Sequence, residues 1–248
     1  MAIATEPFLM DPERQERGSF VARKVLVIDV GGTHVKILAT GHKTERKTAS
    51  GPQMTAKAMC SWVGTAAQDW QYDVVSIGYP GPVVHGKPMR EPHNLGKGWV
   101  GFDYRKALGC PVKIINDAAM QAIGSYEGGR MLFLGLGTGL GSAMIVDGIV
   151  ESMELAHLPY KNGRTYEDFL GLRGLKRMGK QKWRRYVASI VEELRAALVP
   201  DYVVLGGGNA TKIKKLPPKT RLGVNEKAFD GGFRLWEGKE GTRSSIVA

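Results

Sequence analysis

Residues 24–40 read KVLVIDVGGTHVKILAT. Residues 24–30 form a short apolar run, broken by Asp29 and ended by Gly31 and Gly32, which predicts a buried strand entering a tight turn. Residues 35–40 resume β-type side chains, and 43–48 support a third strand. A strand that returns directly after a two-glycine turn is an antiparallel hairpin, whereas a dinucleotide-binding unit enters a helix at that point.

Outward from this hairpin, 55–68 has helical spacing and 74–78 is a second buried strand. Residues 79–101 are rich in Pro and Gly and too long for a mere connector, which points to binding surface. The strand expected at 112–115 runs straight into Asn116 and Asp117 and a helix through Glu127. The opening pattern then repeats: a strand at 131–136, a glycine turn, and a returning strand at 142–146. A long helix is expected over 180–199, with Trp183, Val187, Ile190, Val191, Leu194 and Leu198 on one face. A strand at 202–205 is closed by Gly206, Gly207 and Gly208. Two similar halves imply two α/β domains around a central cleft, 23–115 and 116–236, with tails at 1–22 and 237–248.

Composition bounds the function. The chain has 248 residues, 43% of them hydrophobic, enough for one large core or two modest ones. No apolar run approaches the roughly 18 residues of a membrane span, and the first residues lack a secretory pattern, so no membrane partner and a cytoplasmic location are expected. Cys60 and Cys110 lack metal-ligand spacing and read as small buried hydrophobes in a reducing compartment. The net charge of +11 attracts anions. Much of it lies in Arg173, Lys176, Arg177, Lys180, Lys182, Arg184 and Arg185, followed by Lys212, Lys214 and Lys215. Such runs also arise as solvated helix faces, and charge alone does not choose between the two.

Three signals carry chemistry. In Asp29-Val30-Gly31-Gly32-Thr33 the two glycines let backbone N–H groups converge on a phosphate. Asp29 is placed to hold Mg²⁺, directly or through water, with Thr33 offering a hydroxyl and Lys36 a charge; an ordinary hairpin turn remains the alternative. The second signal, GLGTGLG at 135–141, has neither the Gly-Lys-Ser/Thr ending of a P-loop nor a following helix. Alone it also reads as a β-bulge; paired with the first loop it suggests two phosphate-binding hairpins facing one cleft. The third is Asn116-Asp117 at a strand–helix junction, where Asp117 is either a general base for phosphoryl transfer or a helix N-cap.

The ordered motifs DVGGT, PGPV, HNLGKGW, IND, GLGTGLG, ELAH and LGGG, spanning 25–236, resemble the ROK family of sugar kinases, in particular its short zinc-free branch that includes polyphosphate glucokinases. The resemblance implies an actin-like ATPase (ribonuclease H-like) α/β fold and phosphoryl transfer from polyphosphate or ATP, with Mg²⁺, to the 6-hydroxyl of glucose or a close relative. It assigns Asp29, Gly31, Gly32 and Thr33 to a first phosphate motif, Gly137, Thr138 and Gly139 to a second, and Gly206, Gly207 and Gly208 to the nucleotide side. It makes Asp117 the base, and Asn94, Asn116, Glu154, His157 and Glu167 the sugar-binding set. A homodimer is also expected.

Three departures from the pattern stand out. No cysteine cluster follows His157, so no structural zinc is expected and residues 161–182 must brace the sugar pocket by packing. Ala156 replaces the usual glycine beside the histidine, and residues 229–236 provide no long closing helix. Rival readings are weaker. A repressor would need a DNA-binding domain ahead of the first strand, where only about two dozen residues stand. A nucleic-acid partner is not expected, because the aromatics do not interleave with the basic residues. A non-catalytic sugar sensor is the remaining alternative.

Overall fold

The computed structural model describes residues 23–224 and 227–237. The tail expected at 1–22 lies outside the described residues, as does that at 237–248 beyond Glu237. The opening hairpin is β1 (Val25–Val30) and β2 (His34–Ala39), antiparallel, with Asp29 opposite Lys36. It is extended by β3 (Arg46–Ala49). Helix α1 (Ala56–Ala66), capped by the Thr55 side chain, leads to β4 (Val74–Tyr79), which lies parallel to β1. The 79–101 segment contains a small hairpin, β5 (Val83–Val84) and β6 (Lys87–Pro88). Helix α2 (Tyr104–Leu108), β7 (Val112–Asn116) and α3 (Asp117–Ser125) complete the first half.

The second half repeats the order. Strands β8 (Arg130–Leu136), β9 (Leu140–Val146) and β10 (Ile149–Met153) form an antiparallel meander. Helices α4 (Tyr166–Leu170) and α5 (Leu172–Leu198) follow, then β11 (Tyr202–Gly206), β12 (Thr220–Leu222) and α6 (Lys227–Arg234). The two main sheets run β3-β2-β1-β4-β7 and β10-β9-β8-β11-β12, so each has three antiparallel strands and then two added in parallel.

Alternation along the central strands sorts the core into layers. Leu26, Ile28 and Val30 face outward onto α1 and the buried Trp99 and Tyr104. Val25 and Val27 face inward, toward α3, α6 and the inner face of the second sheet at Met131, Phe133, Ala143 and Ile145. The far face of that sheet, Leu132, Leu134 and Leu136, packs on α4 and α5. Asp29 therefore shares the inward face with Val25 and Val27, where two sheets enclose one helical layer.

Several boundaries differ from the sequence reading. The expected 180–199 helix begins earlier, at Leu172, but its backbone leaves helical geometry at Gly179 (φ 72°, ψ 162°). The part after this kink carries the periodic face, with Trp183, Val187, Ile190, Val191 and Leu194 buried. Helix α6, within the range assigned to the second domain, lies against the first sheet: Ser76 Oγ donates to the Gly232 carbonyl at 2.6 Å and Trp236 Nε1 donates to Ser76 Oγ at 2.9 Å.

Candidate active site

The site assembles where β1, β4 and β7 end. In register, Asp29 stands beside Gly78 on β4 and Lys36 on β2. The first glycine turn is closed by Gly31 N–H donating to the His34 carbonyl at 2.9 Å and braced by Ser50 Oγ on the Gly31 carbonyl at 2.6 Å. The Gly32 and Thr33 N–H groups have no acceptor among the described residues, and the Thr33 hydroxyl lies 3.3 Å from His34 Nδ1. Lys36, expected to add charge to this loop, is paired with Glu45 at 3.2 Å. Asn94 lies over the turn: a Cβ built on Gly32 would be 3.9 Å from its side chain.

At the β7–α3 junction the cap is Asn116 and not Asp117. Asn116 Oδ1 accepts from Ala119 N–H at 3.1 Å, and its amide nitrogen donates to the Gly81 carbonyl at 3.1 Å. Asp117 is the first helical residue, with one carboxylate oxygen accepting from Ala118 N–H at 2.8 Å. The N-terminus of α3 is held between the two halves by glycines. Met120 fills the space a side chain on Gly78 would take, and a Cβ on Gly141 would sit 2.7 Å from that of Ala118.

The second hairpin and the third glycine motif lie together. Gly207 takes a left-handed conformation (φ 80°) and passes so close to Leu136 that a Cβ would be 2.7 Å from its backbone. Asn209 N–H donates to the Leu136 carbonyl and its amide to the Gly137 carbonyl, both at 2.9 Å. The Thr138 carbonyl accepts from Leu172 N–H at 3.1 Å. Glu167 lies on this hairpin, beside Gly139 and accepting from Leu140 N–H at 3.3 Å, while Arg173 pairs with it at 3.3 Å. Glu154 and His157 approach to 3.5 Å with exposed side chains. Ser142 Oγ anchors their turn, bonding the Met153 carbonyl at 2.7 Å and Leu155 N–H at 3.2 Å.

Electrostatics single out two carboxylates. Burial pushes Asp29 up to about 6 against the pull of Lys36, with Glu45 adding to the rise. Burial, then the charge of Asp29, pushes Asp117 up to about 7; Glu154 adds to the rise from across the site, against the Ala118 N–H bond. Among the described residues the Asp29 carboxylate accepts no hydrogen bond, and no three His, Cys, Asp or Glu side chains converge to hold a metal. A buried carboxylate with no hydrogen-bond donor of its own, as at Asp29, suits a hard cation that keeps most of its shell as water and phosphate, and in that respect the residue fits Mg²⁺.

Sequence reasoning passed over Asn209 and Glu91. Asn209, buried directly after three glycines, ties two motifs together. Glu91 organises the long loop by accepting from Trp99 and Val100 N–H at 3.1 and 3.2 Å. The polar residue bordering each Gly- or Pro-rich segment was the available signal.

Paired sheets of identical strand order, with carboxylates at the strand ends of the space between them, define the actin-like ATPase class of α/β proteins. Within it the chain belongs to the ROK family, whose model matches residues 25–152. It is 28% identical over 233 residues to the polyphosphate glucokinase of Mycobacterium tuberculosis (strain ATCC 25618 / H37Rv), covering 84% of this chain and 86% of that one. The inorganic polyphosphate/ATP-glucomannokinase from Arthrobacter sp. strain KM superposes with a TM-score of 0.72 at 23% identity, over 85% of this chain and 97% of the other. A ROK family glucokinase from Streptomyces griseus, in complex with glucose and AMPPNP, does so at 0.70 and 16% identity, over 86% and 98%.

Proposed function

We propose that the chain is a hexose kinase that moves a phosphoryl group from inorganic polyphosphate or ATP to the 6-hydroxyl of glucose or a close relative. Its family and its polyphosphate glucokinase relative make it a sugar-kinase phosphotransferase; the acceptor, the donor and the residue roles are the proposal. One observation carries it. Asp117 is relieved of capping by Asn116 and held near neutrality between two glycine hairpins. A carboxylate of that kind is matched to accept an alcohol proton at physiological pH.

In this reading Asn94, Asn116, Glu154, His157 and Glu167 hold the sugar hydroxyls, and Asp117 accepts the proton of the 6-hydroxyl as its oxygen attacks phosphorus. The new O–P bond forms while the bridging P–O bond of the donor breaks, its electron pair remaining on the departing phosphate. The N–H groups of Gly32 and Thr33 and the hairpin at Gly137, Thr138 and Gly139 orient the phosphates, with Gly206, Gly207 and Gly208 behind them. Mg²⁺, when held at Asp29, neutralises phosphate charge.

The test is a donor-by-acceptor matrix: polyphosphate and ATP against glucose, mannose and N-acetylated hexosamines, with Asp117→Asn as the blank. Transfer to at least one hexose is expected, glucose first. Binding of a hexose with no transfer from either donor would establish the sensor reading instead.

A further inference from the structure

Beside the third glycine motif, Lys212 and the Arg184 that bonds its backbone have no acidic partner among the described residues. Lys212 Nζ donates to Asn209 Oδ1 at 2.7 Å, and Asn209 in turn donates to the Gly137 carbonyl of the second hairpin at 2.9 Å. From α5, Arg184 Nε donates to the Lys212 carbonyl at 2.5 Å. The Lys212 ammonium is thus held by an amide oxygen and the Arg184 guanidinium by the Lys212 carbonyl, both neutral acceptors. Among the described residues neither enters an ion pair. Cationic side chains held without a counter-charge raise the local concentration of anions. Lys214 and Lys215, which follow closely in the chain, are exposed.

The other end of the basic run differs. Arg173 is 3.3 Å from Glu167 and 3.4 Å from Asp168. Arg177 donates to the Asp168 carbonyl at 2.6 Å and lies over the Phe169 ring. Both guanidiniums lie close enough to the Asp168 carboxylate to feel its charge, whereas Lys212 and Arg184 are held by neutral acceptors.

We infer that Lys212 and Arg184 form a binding site for the phosphates of a chain-like donor, continuing from the hairpin at Gly137, and that such a donor runs over this pair and not over Arg173 and Arg177. The inference rests on the kinase reading in taking that hairpin as the donor side. Asn209 is the positioning residue that sets the ammonium there.

A binding test needs no turnover. Inorganic tripolyphosphate is titrated calorimetrically into the wild type, Lys212→Met, Lys212→Arg and the distant surface control Lys106→Met, each verified as folded by thermal melting. Lys212→Met is expected to weaken binding by about tenfold and to reduce the slope of log K against log salt by about 1, the signature of one lost phosphate contact. Lys212→Arg should bind within about twofold of wild type, and Lys106→Met should be unchanged. Absence of tripolyphosphate binding, full affinity in Lys212→Met, or equal losses in Lys212→Met and Lys106→Met would each overturn the site. Failure of the kinase reading shows elsewhere, as no transfer in the donor-by-acceptor matrix.

Discussion

Burial and the neighbouring Asp29 hold the Asp117 carboxyl at about 7, against about 3.9 in an unfolded chain. Between those values the native state binds more protons than the unfolded one, so stability falls as pH rises and the full penalty is present above about 7. Asp117→Asn keeps the shape and the acceptor for Ala118 N–H but removes the charge. It should therefore raise the melting temperature at pH 8, by about 2–4 °C for each kcal/mol in a chain of this length, and leave it unchanged at pH 4. The same variant should lower kcat by on the order of 10²–10⁴, and wild-type kcat/KM should fall tenfold per unit of pH below about 7. Calorimetry at both pH values and a pH–rate profile check this; a variant less stable at pH 8 would mean the carboxylate has a partner that repays its burial. At the sugar end, Glu154→Ala and His157→Ala should each raise the sugar KM by an amount worth roughly 1–3 kcal/mol while leaving the donor KM near its wild-type value. Steady-state kinetics varying each substrate separates the two, and a donor-side defect would remove these residues from the sugar pocket.

At the scale of elements, the hairpins were legible because glycine turns and apolar strands are local signals, and β1–β2 and β8–β9 answer to them. Helix α6 was not legible. Its sequence KAFDGGFR carries two adjacent glycines, which oppose a helix, and the reason for them is tertiary. Gly231 passes against the Met120 carbonyl of α3 and Gly232 against Val27 of β1, while Gly124 of α3 meets the Lys227 carbonyl, so any Cβ at this crossing collides with backbone or core. Of the site residues, Asp117 and Asn116 were placed by the strand–helix junction, but that Asn116 takes the cap and frees Asp117 is a matter of geometry that composition does not reveal. The kink at Gly179 likewise hid the first turns of α5, where Arg173, Lys176 and Arg177 lie. Gly231→Ala should cost about 1–3 kcal/mol through overpacking, seen as a lower denaturation midpoint with an unchanged m-value. A variant of wild-type stability would show that α3 and α6 separate at little cost.

At the scale of the whole molecule, the groups expected to hold one hexose come from both sides of the cleft: Asn94 from the first half, Glu154, His157 and Glu167 from the second. Glu154 and His157 keep 50% and 70% of their side-chain surface exposed. The helical layer is fastened to the first sheet by Asn116 on Gly81, Ser76 on Gly232 and Lys113 on the Leu235 carbonyl. The second sheet is tied to the far end of α3, where Arg221 of β12 donates to the Ser125 carbonyl. Near Asp117 it meets α3 through apolar contact of Gly141 with Ala118. A body hydrogen-bonded at one end of a helix and in apolar contact at the other can rotate about the bonded end, carrying Glu154, His157 and Glu167 toward Asn94 and Asp117. Such closure would exclude water, which otherwise competes with the sugar for the phosphoryl group. Small-angle scattering should therefore give a smaller radius of gyration with saturating sugar than without it. An unchanged radius, under conditions where calorimetry registers binding, would mean that the sugar is held by an already closed cleft or by one half alone.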